Sequence, residues 1–178
     1  MFQLEAHEAC ISNLNSRIER HGEERALAAD VKFTTSASNS VLDQFGPGLK
    51  EAFFRKPTKG EQPDLPNIGG SGLSAVKFPS LEPLKLAHEF TGYELQIDGL
   101  LEGTEPIVLV DVKLKRFVFE PKEGGSVELS FTASANVDAD ELAELAEALV
   151  REDVRLTLKS PAKASTDEHP QQQLSDAA

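Results

Sequence analysis

Alternation of apolar and polar residues at a spacing of two, repeated in segment after segment, is the strongest constraint this chain places on its fold. Leu27, Ala29, Val31 and Phe33 alternate with Ala28, Asp30, Lys32 and Thr34, and Val127, Leu129, Phe131, Ala133 and Ala135 form a second such row. Successive side chains of a strand leave opposite faces, so this pattern buries one face and wets the other. It predicts strands over 26–35 and 126–136. Two further stretches alternate but slip. Leu84, Leu86, His88 and Phe90 continue after Thr91-Gly92 as Tyr93, Leu95 and Ile97, one residue out of phase. A slip reverses the buried face, and a glycine at the slip marks a β-bulge. Asp98-Gly99 then supplies a turn. In 107–120, Val108, Val110, Val112 and Leu114 are in register while Phe117 and Phe119 stand one step out, which predicts a bend near Lys115-Arg116. The connector Pro121–Gly125 makes this segment and 126–136 a hairpin.

Helical spacing occurs twice. Ser38, Asn39 and Ser40 are capping residues ahead of Val41, Leu42, Phe45, Leu49 and Phe53, and Gly46-Pro47-Gly48 breaks this helix into two short ones. Asp138, with Glu141 three residues on, forms a capping box ahead of Leu142, Leu145, Ala146 and Leu149, so a helix is expected over 139–151. A last strand over 153–159 carries Val154, Leu156 and Leu158, spaced either as a compact crossover or as an antiparallel return. Residues 1–25 mix apolar and charged residues without a clean period, which predicts a short strand or an irregular lead-in. Residues 57–83, rich in proline and glycine, predict a long irregular loop and the first place to look for a partner contact. Residues 160–178 predict a disordered tail. The expected architecture is a single α+β domain over 1–159, a twisted, mainly antiparallel sheet with two helical segments packed on it.

Composition narrows the function classes. The 178 residues suffice to bury a core without disulfides or a structural metal, and the single Cys10 forms no internal bridge, which fits a reducing cytoplasm. No stretch approaches the roughly 20 apolar residues of a membrane span, so no membrane partner is expected. A net charge of −12 repels phosphate on average, and nucleic-acid binding requires a local basic face. Nucleophilic catalysis needs a histidine beside a nucleophile and an acid, and the four histidines are His7, His21, His88 and His169. His169 falls in the expected tail, and His88 occupies an apolar strand position that reads as a core histidine. His7 and Cys10 have ligand spacing but lack a second pair to complete a zinc site. Gly69-Gly70-Ser71-Gly72 lacks the lysine and preceding strand of a phosphate-binding loop. The expectation is a protein that is not an enzyme and carries no metal or cofactor.

Charge is distributed unevenly. Two segments mix cations with aromatic residues, the composition of a single-strand binding face on which rings stack against bases and cations follow phosphates. The first supplies Phe54, Arg55, Lys56 and Lys59, the second Lys113, Lys115 and Arg116, with Lys122 just beyond. The competing reading makes Phe53, Phe117 and Phe119 core residues and the lysines a solvated face. Residues 138–153 hold seven acids against Arg151, and Asp140, Glu144 and Glu147 line one stripe of the expected helix, a docking face for a basic partner or a plain solvated surface. Arg17, Arg20 and His21–Arg25 form a third polar cluster, read either as a solvated turn or as a contact surface.

The run Asn15-Ser16-Arg17-Ile18-Glu19-Arg20-His21-Gly22-Glu23, followed by Ala29-Asp30-Val31-Lys32, resembles the opening of small phage and prophage proteins of uncharacterised role. Gly124-Gly125-Ser126-Val127-Glu128-Leu129-Ser130-Phe131 is similar to their strand after a hairpin turn. The resemblance implies a non-catalytic, phage-type protein in the host cytoplasm and brings no functional residue with it. The leading expectation is an accessory protein for single-stranded DNA in replication or recombination. The alternative is an acidic inhibitor that docks on a nucleic-acid-binding host defence or regulatory complex through 138–153, with the 57–83 loop as a second candidate contact. A homo-oligomer is compatible with both.

Overall fold

The computed structural model describes residues 2–21, 24–58, 72–98, 105–151 and 153–161. Among these described residues, nine strands and three short helical elements follow in the order β1 (Leu4–His21), β2 (Glu24–Ser38), a 3-10 turn (Asn39–Gln44), α1 (Leu49–Phe53), β3 (Phe54–Arg55), β4 (Ala75–Val76), β5 (Leu84–Leu86), β6 (Phe90–Ile97), β7 (Ile107–Lys122), β8 (Ser126–Asn136), α2 (Ala139–Val150) and β9 (Val154–Lys159). The sheet is mostly antiparallel, and helices are few.

Six strands close on themselves. β1 pairs with β2, β2 with β8, β8 with β7, β7 with β6, β6 with β9, and β9 returns to β1. Every second side chain of such a barrel points inward, and closure removes the sheet edges wherever the register is paired. β5 adds to the distal end of β7, with Leu84 opposite Phe119. The chain leaves β8, runs through α2 and re-enters at β9, which lies antiparallel between β6 and β1, so the antiparallel return is realised.

Phe33, Leu95, Leu114, Phe117, Leu129, Phe131 and Leu156 fill the interior. Both ends of β8 meet a helical element. At its Ser126 end the 3-10 turn brings in Phe45, and Phe2 sits among the rings of Phe45, Phe117 and Phe131 at centroid distances of 5.1, 5.4 and 5.6 Å. At the Asn136 end α2 buries Leu145 and Ala148 in the same core. Its first turn is fixed by the expected capping box. The Asp138 carboxylate accepts from Glu141 N and the Glu141 carboxylate accepts from Asp138 N, each at 2.8 Å.

Four expectations are corrected. Residues 1–25 hold a strand of 18 residues, β1, whose alternation is obscured by register shifts between Leu4 and His7, where Ala6 has φ 44°, and between Ile11 and Asn13. In β7 the buried residues of the first half are Ile107 and Leu109, while Val108 and Val110 are 41% and 66% exposed. A bulge at Asp111 (φ 52°) restores Val112 and Leu114 to the inside, and a second at Arg116 (φ 57°) produces the expected bend ahead of Phe117. His88 lies between β5 and β6, half-buried, its ring 5.6 Å from that of Phe45. Within 57–83, β4 pairs with β3 and Leu73–Val76 is anchored: Asn39 Nδ2 donates to Leu73 O, Gly124 N donates to Ser74 O, and the Glu123 carboxylate accepts from Val76 N. The glycine-marked slip in β6 is present as foreseen, with Gly92 at φ 76° and a register shift between Phe90 and Tyr93. Residues 59–71 of the expected loop and 162–178 of the expected tail lie outside the described residues. Among the described residues no helix is long and apolar enough to cross a membrane.

Candidate anion-binding groove

Cross-strand register decides which polar side chains meet on the outer face of the barrel. Asn15 stands opposite Asp30, Asp30 opposite Ser134, and Ser134 opposite Lys113. One row along, Asn13, Lys32, Thr132 and Lys115 follow the same order. Residues directly opposite across an antiparallel pair share a face, so these rows lay amides, hydroxyls and charges side by side.

Asp30 is the node of this face. Its carboxylate lies 2.6 Å from Arg17 Nη1 and 3.4 Å from Lys115 Nζ, and it accepts from the Ser134 hydroxyl. Burial alone raises the Asp30 pKa, but the Ser134 hydrogen bond and the two cations together hold it below the ordinary carboxylate value. Arg17 also binds Glu19 at 2.5 Å.

Beside this node runs a groove of about 590 Å³ between β1 on one side and β5 with β7 on the other. Asn13, Asn15 and Thr132 supply polar lining, Leu14, Leu86 and Val118 an apolar strip, and Lys32, Lys85 and Arg116 the cations, while the one carboxylate of the lining, Asp30, is taken up by Arg17, Lys115 and Ser134. All three cations are exposed, and among the described residues no carboxylate lies within ion-pair distance of any of them. Across Lys115 lies a smaller groove of about 350 Å³ where Arg17, Lys113 and Lys115 meet Glu19 and Asp111, so its charges nearly balance.

The residues expected to bind nucleic acid separate on this map. Phe54 is 1% exposed, so it offers no ring for base stacking, and Phe117 and Phe119 are likewise core residues. Arg55 is half-buried and donates to Lys56 O, and Lys56 is exposed, but neither lines the groove. Lys59 lies outside the described residues. Lys113 and Lys115 share the outer face, as alternation requires, but Lys113 is bound to Glu89 at 2.6 Å and Lys115 to Asp30. Lys122 sits 2.7 Å from Glu120 and 3.8 Å from Glu128. Of that set, among the described residues, Arg116 opens into the groove without a carboxylate partner. Lys32 and Lys85 escape sequence reasoning because each is an ordinary outward lysine of an alternating strand, and only the sheet register brings them to Arg116.

Asp140, Glu144 and Glu147 are all exposed on α2, and Glu141 is occupied by the capping box. His7 and Cys10 part company: His7 Nε2 lies 3.1 Å from Ser36 O, and the Cys10 thiol faces Asp153 at 3.4 Å. Among the described residues no three His, Cys, Asp or Glu side chains are grouped to hold a metal ion. Compared with protein-family models, curated proteins and solved structures, the chain matches none.

Proposed function

We propose that the protein is a non-catalytic, phage-type binding protein whose groove between β1 and β5–β7 takes a single-stranded nucleic acid by its phosphates, in an accessory role in replication or recombination. One observation carries this reading: in a chain of net charge −12, Lys32, Lys85 and Arg116 converge on one groove while the neighbouring cations are neutralised by Glu89, Asp30, Glu120 and Glu128. With no exposed ring lining the groove among the described residues, recognition falls to phosphate contacts and to the amides of Asn13 and Asn15. Such binding is weak, insensitive to sequence and dependent on salt.

Fluorescence anisotropy of a labelled single-stranded oligonucleotide across a salt series tests it. Three phosphate contacts give a log–log salt slope of about −2, with a dissociation constant in the range of about 1–100 μM. The triple variant Lys32→Ala, Lys85→Ala, Arg116→Gly abolishes the signal, while Lys113→Ala and Lys122→Ala leave it within about twofold. Absence of binding at low salt, or a triple variant that binds like the parent, overturns the reading.

A second reading rests on α2, whose Asp140, Glu144 and Glu147 present an exposed acidic row suited to a basic, nucleic-acid-binding protein complex. Here the protein acts as an acidic inhibitor. Glu144→Lys with Glu147→Lys separates the two: it leaves oligonucleotide affinity unchanged under the first and abolishes complex formation under the second.

A further inference from the structure

Thr132 belongs to the outer face of β8, yet it is only 6% exposed, and it lines the groove. Ser134, two residues along the same face, is buried to a similar degree and donates its hydroxyl to Asp30. Thr132 has no such partner: among the described residues its hydroxyl takes part in no hydrogen bond. A hydroxyl withdrawn from water without a partner is costly, so its place in a groove lining points to a group that enters the groove.

The register sets two further donors beside it. Asn13 stands opposite Lys32, and Lys32 opposite Thr132. Amide, ammonium and hydroxyl thus form one row across β1, β2 and β8, with neighbouring strands about 5 Å apart. Asn13 and Lys32 are exposed, and among the described residues neither side chain has a hydrogen-bond or ion-pair partner. The next member of the row, Lys115, is held by Asp30 and drops out. Lys85 and Arg116 add positive charge from β5 and β7.

Donors without acceptors, gathered around a buried hydroxyl, make an anion site, and their number separates two kinds of phosphate. An internal phosphodiester carries one charge and two unbridged oxygens, whereas a terminal monoester carries close to two charges and three such oxygens. Three donors in one row, with two further cations at hand, match the monoester. The groove of about 590 Å³ also has the size of a site for one small ligand, and its aliphatic strip gives the terminal sugar and base an apolar support.

We propose that the groove takes a strand by its end, with a terminal phosphate monoester seated over Lys32 between Asn13 and Thr132. This rests on the reading of the groove as a site for single-stranded nucleic acid, and it specifies which part of the strand is held.

Fluorescence anisotropy of one internally labelled oligonucleotide, carrying a 5′-phosphate, a 3′-phosphate or hydroxyls at both ends, tests the assignment. A phosphorylated strand binds about tenfold tighter than the hydroxyl-ended one, and the difference between the two phosphorylated strands tells which end enters. Thr132→Val, confirmed as folded by circular dichroism, cuts this preference to about twofold or less and leaves the affinity for the hydroxyl-ended strand unchanged. Asn13→Ala, at an exposed position, lowers the preference in the same way and decides alone if Thr132→Val does not fold. Equal affinities for all three strands overturn the end-binding proposal while the phosphate-binding reading stands. A preference that survives either folded variant overturns it as well. Binding of no strand at low salt overturns both.

Discussion

Asp30 shows what a single residue can and cannot announce. Its polar place in the alternation of β2 puts it on the outer face, and this much is legible. That Arg17, Lys115 and Ser134 all reach it depends on the β1–β2, β2–β8 and β7–β8 registers, which no local pattern encodes. For the same reason Lys113 and Lys115 read as a cationic stripe, although Glu89 and Asp30 neutralise them. The node has a thermodynamic signature. Its folded pKa is depressed, so its contribution is fully present above the unfolded value of about 3.9 and is lost as the pH falls through the folded value. Asp30→Asn keeps the shape, abolishes the charge and leaves two cations short of a partner. At pH 7 it costs about 1–3 kcal/mol in urea denaturation. The gap between variant and wild type narrows as the pH is lowered below about 4, and a gap that stays constant with pH refutes the role given to the Asp30 charge.

At the scale of elements, legibility follows the glycines. The slip in β6 is visible because Gly92 occupies the left-handed position that the bulge needs. The bulges of β7 put Asp111 and Arg116 there instead, and the register shift in β1 has Ala6 beside it at positive φ, so no glycine marks them, and the bulge at Arg116 shows in the sequence only through the change of phase at Phe117. Hence the first half of β7 reads one step out of phase and β1 reads as irregular. A non-glycine residue held at positive φ stores roughly 1–2 kcal/mol of steric cost. Arg116→Gly releases that cost and gives back a similar amount in chain entropy, leaving stability within about 1 kcal/mol of wild type. It nevertheless weakens oligonucleotide binding. Asp111→Val, which forces a β-branched residue into the same region, destabilises by about 1–3 kcal/mol. Equal urea midpoints for Asp111→Val and Asp111→Gly contradict the assignment of a bulge at that residue.

For the molecule as a whole, alternation specifies strands with one wet face but is silent on whether the sheet stays open or closes. Closure rests on β9 wedging between β6 and β1 and on β7 meeting β8, pairings in which Leu95 finds Leu158 and Leu4 finds the same residue from the other side. The barrel then depends on what fills its ends. Phe2, at the edge of β1 where sequence gives no periodic signal, is fully buried against Phe45, Phe117 and Phe131. Its ring joins the 3-10 turn to β7 and β8, so truncation opens a cavity that rigid strands cannot collapse to fill. Phe2→Ala is expected to cost about 3–5 kcal/mol, a large part of the roughly 5–15 kcal/mol that holds a domain of this kind together. Ile18→Ala, at an exposed position of the same strand, costs less than about 0.5 kcal/mol. Urea unfolding of both variants at low protein concentration, with an unchanged dependence on denaturant, measures the contrast. Comparable losses from the two place Phe2 outside the core and remove the plugged barrel as the source of stability.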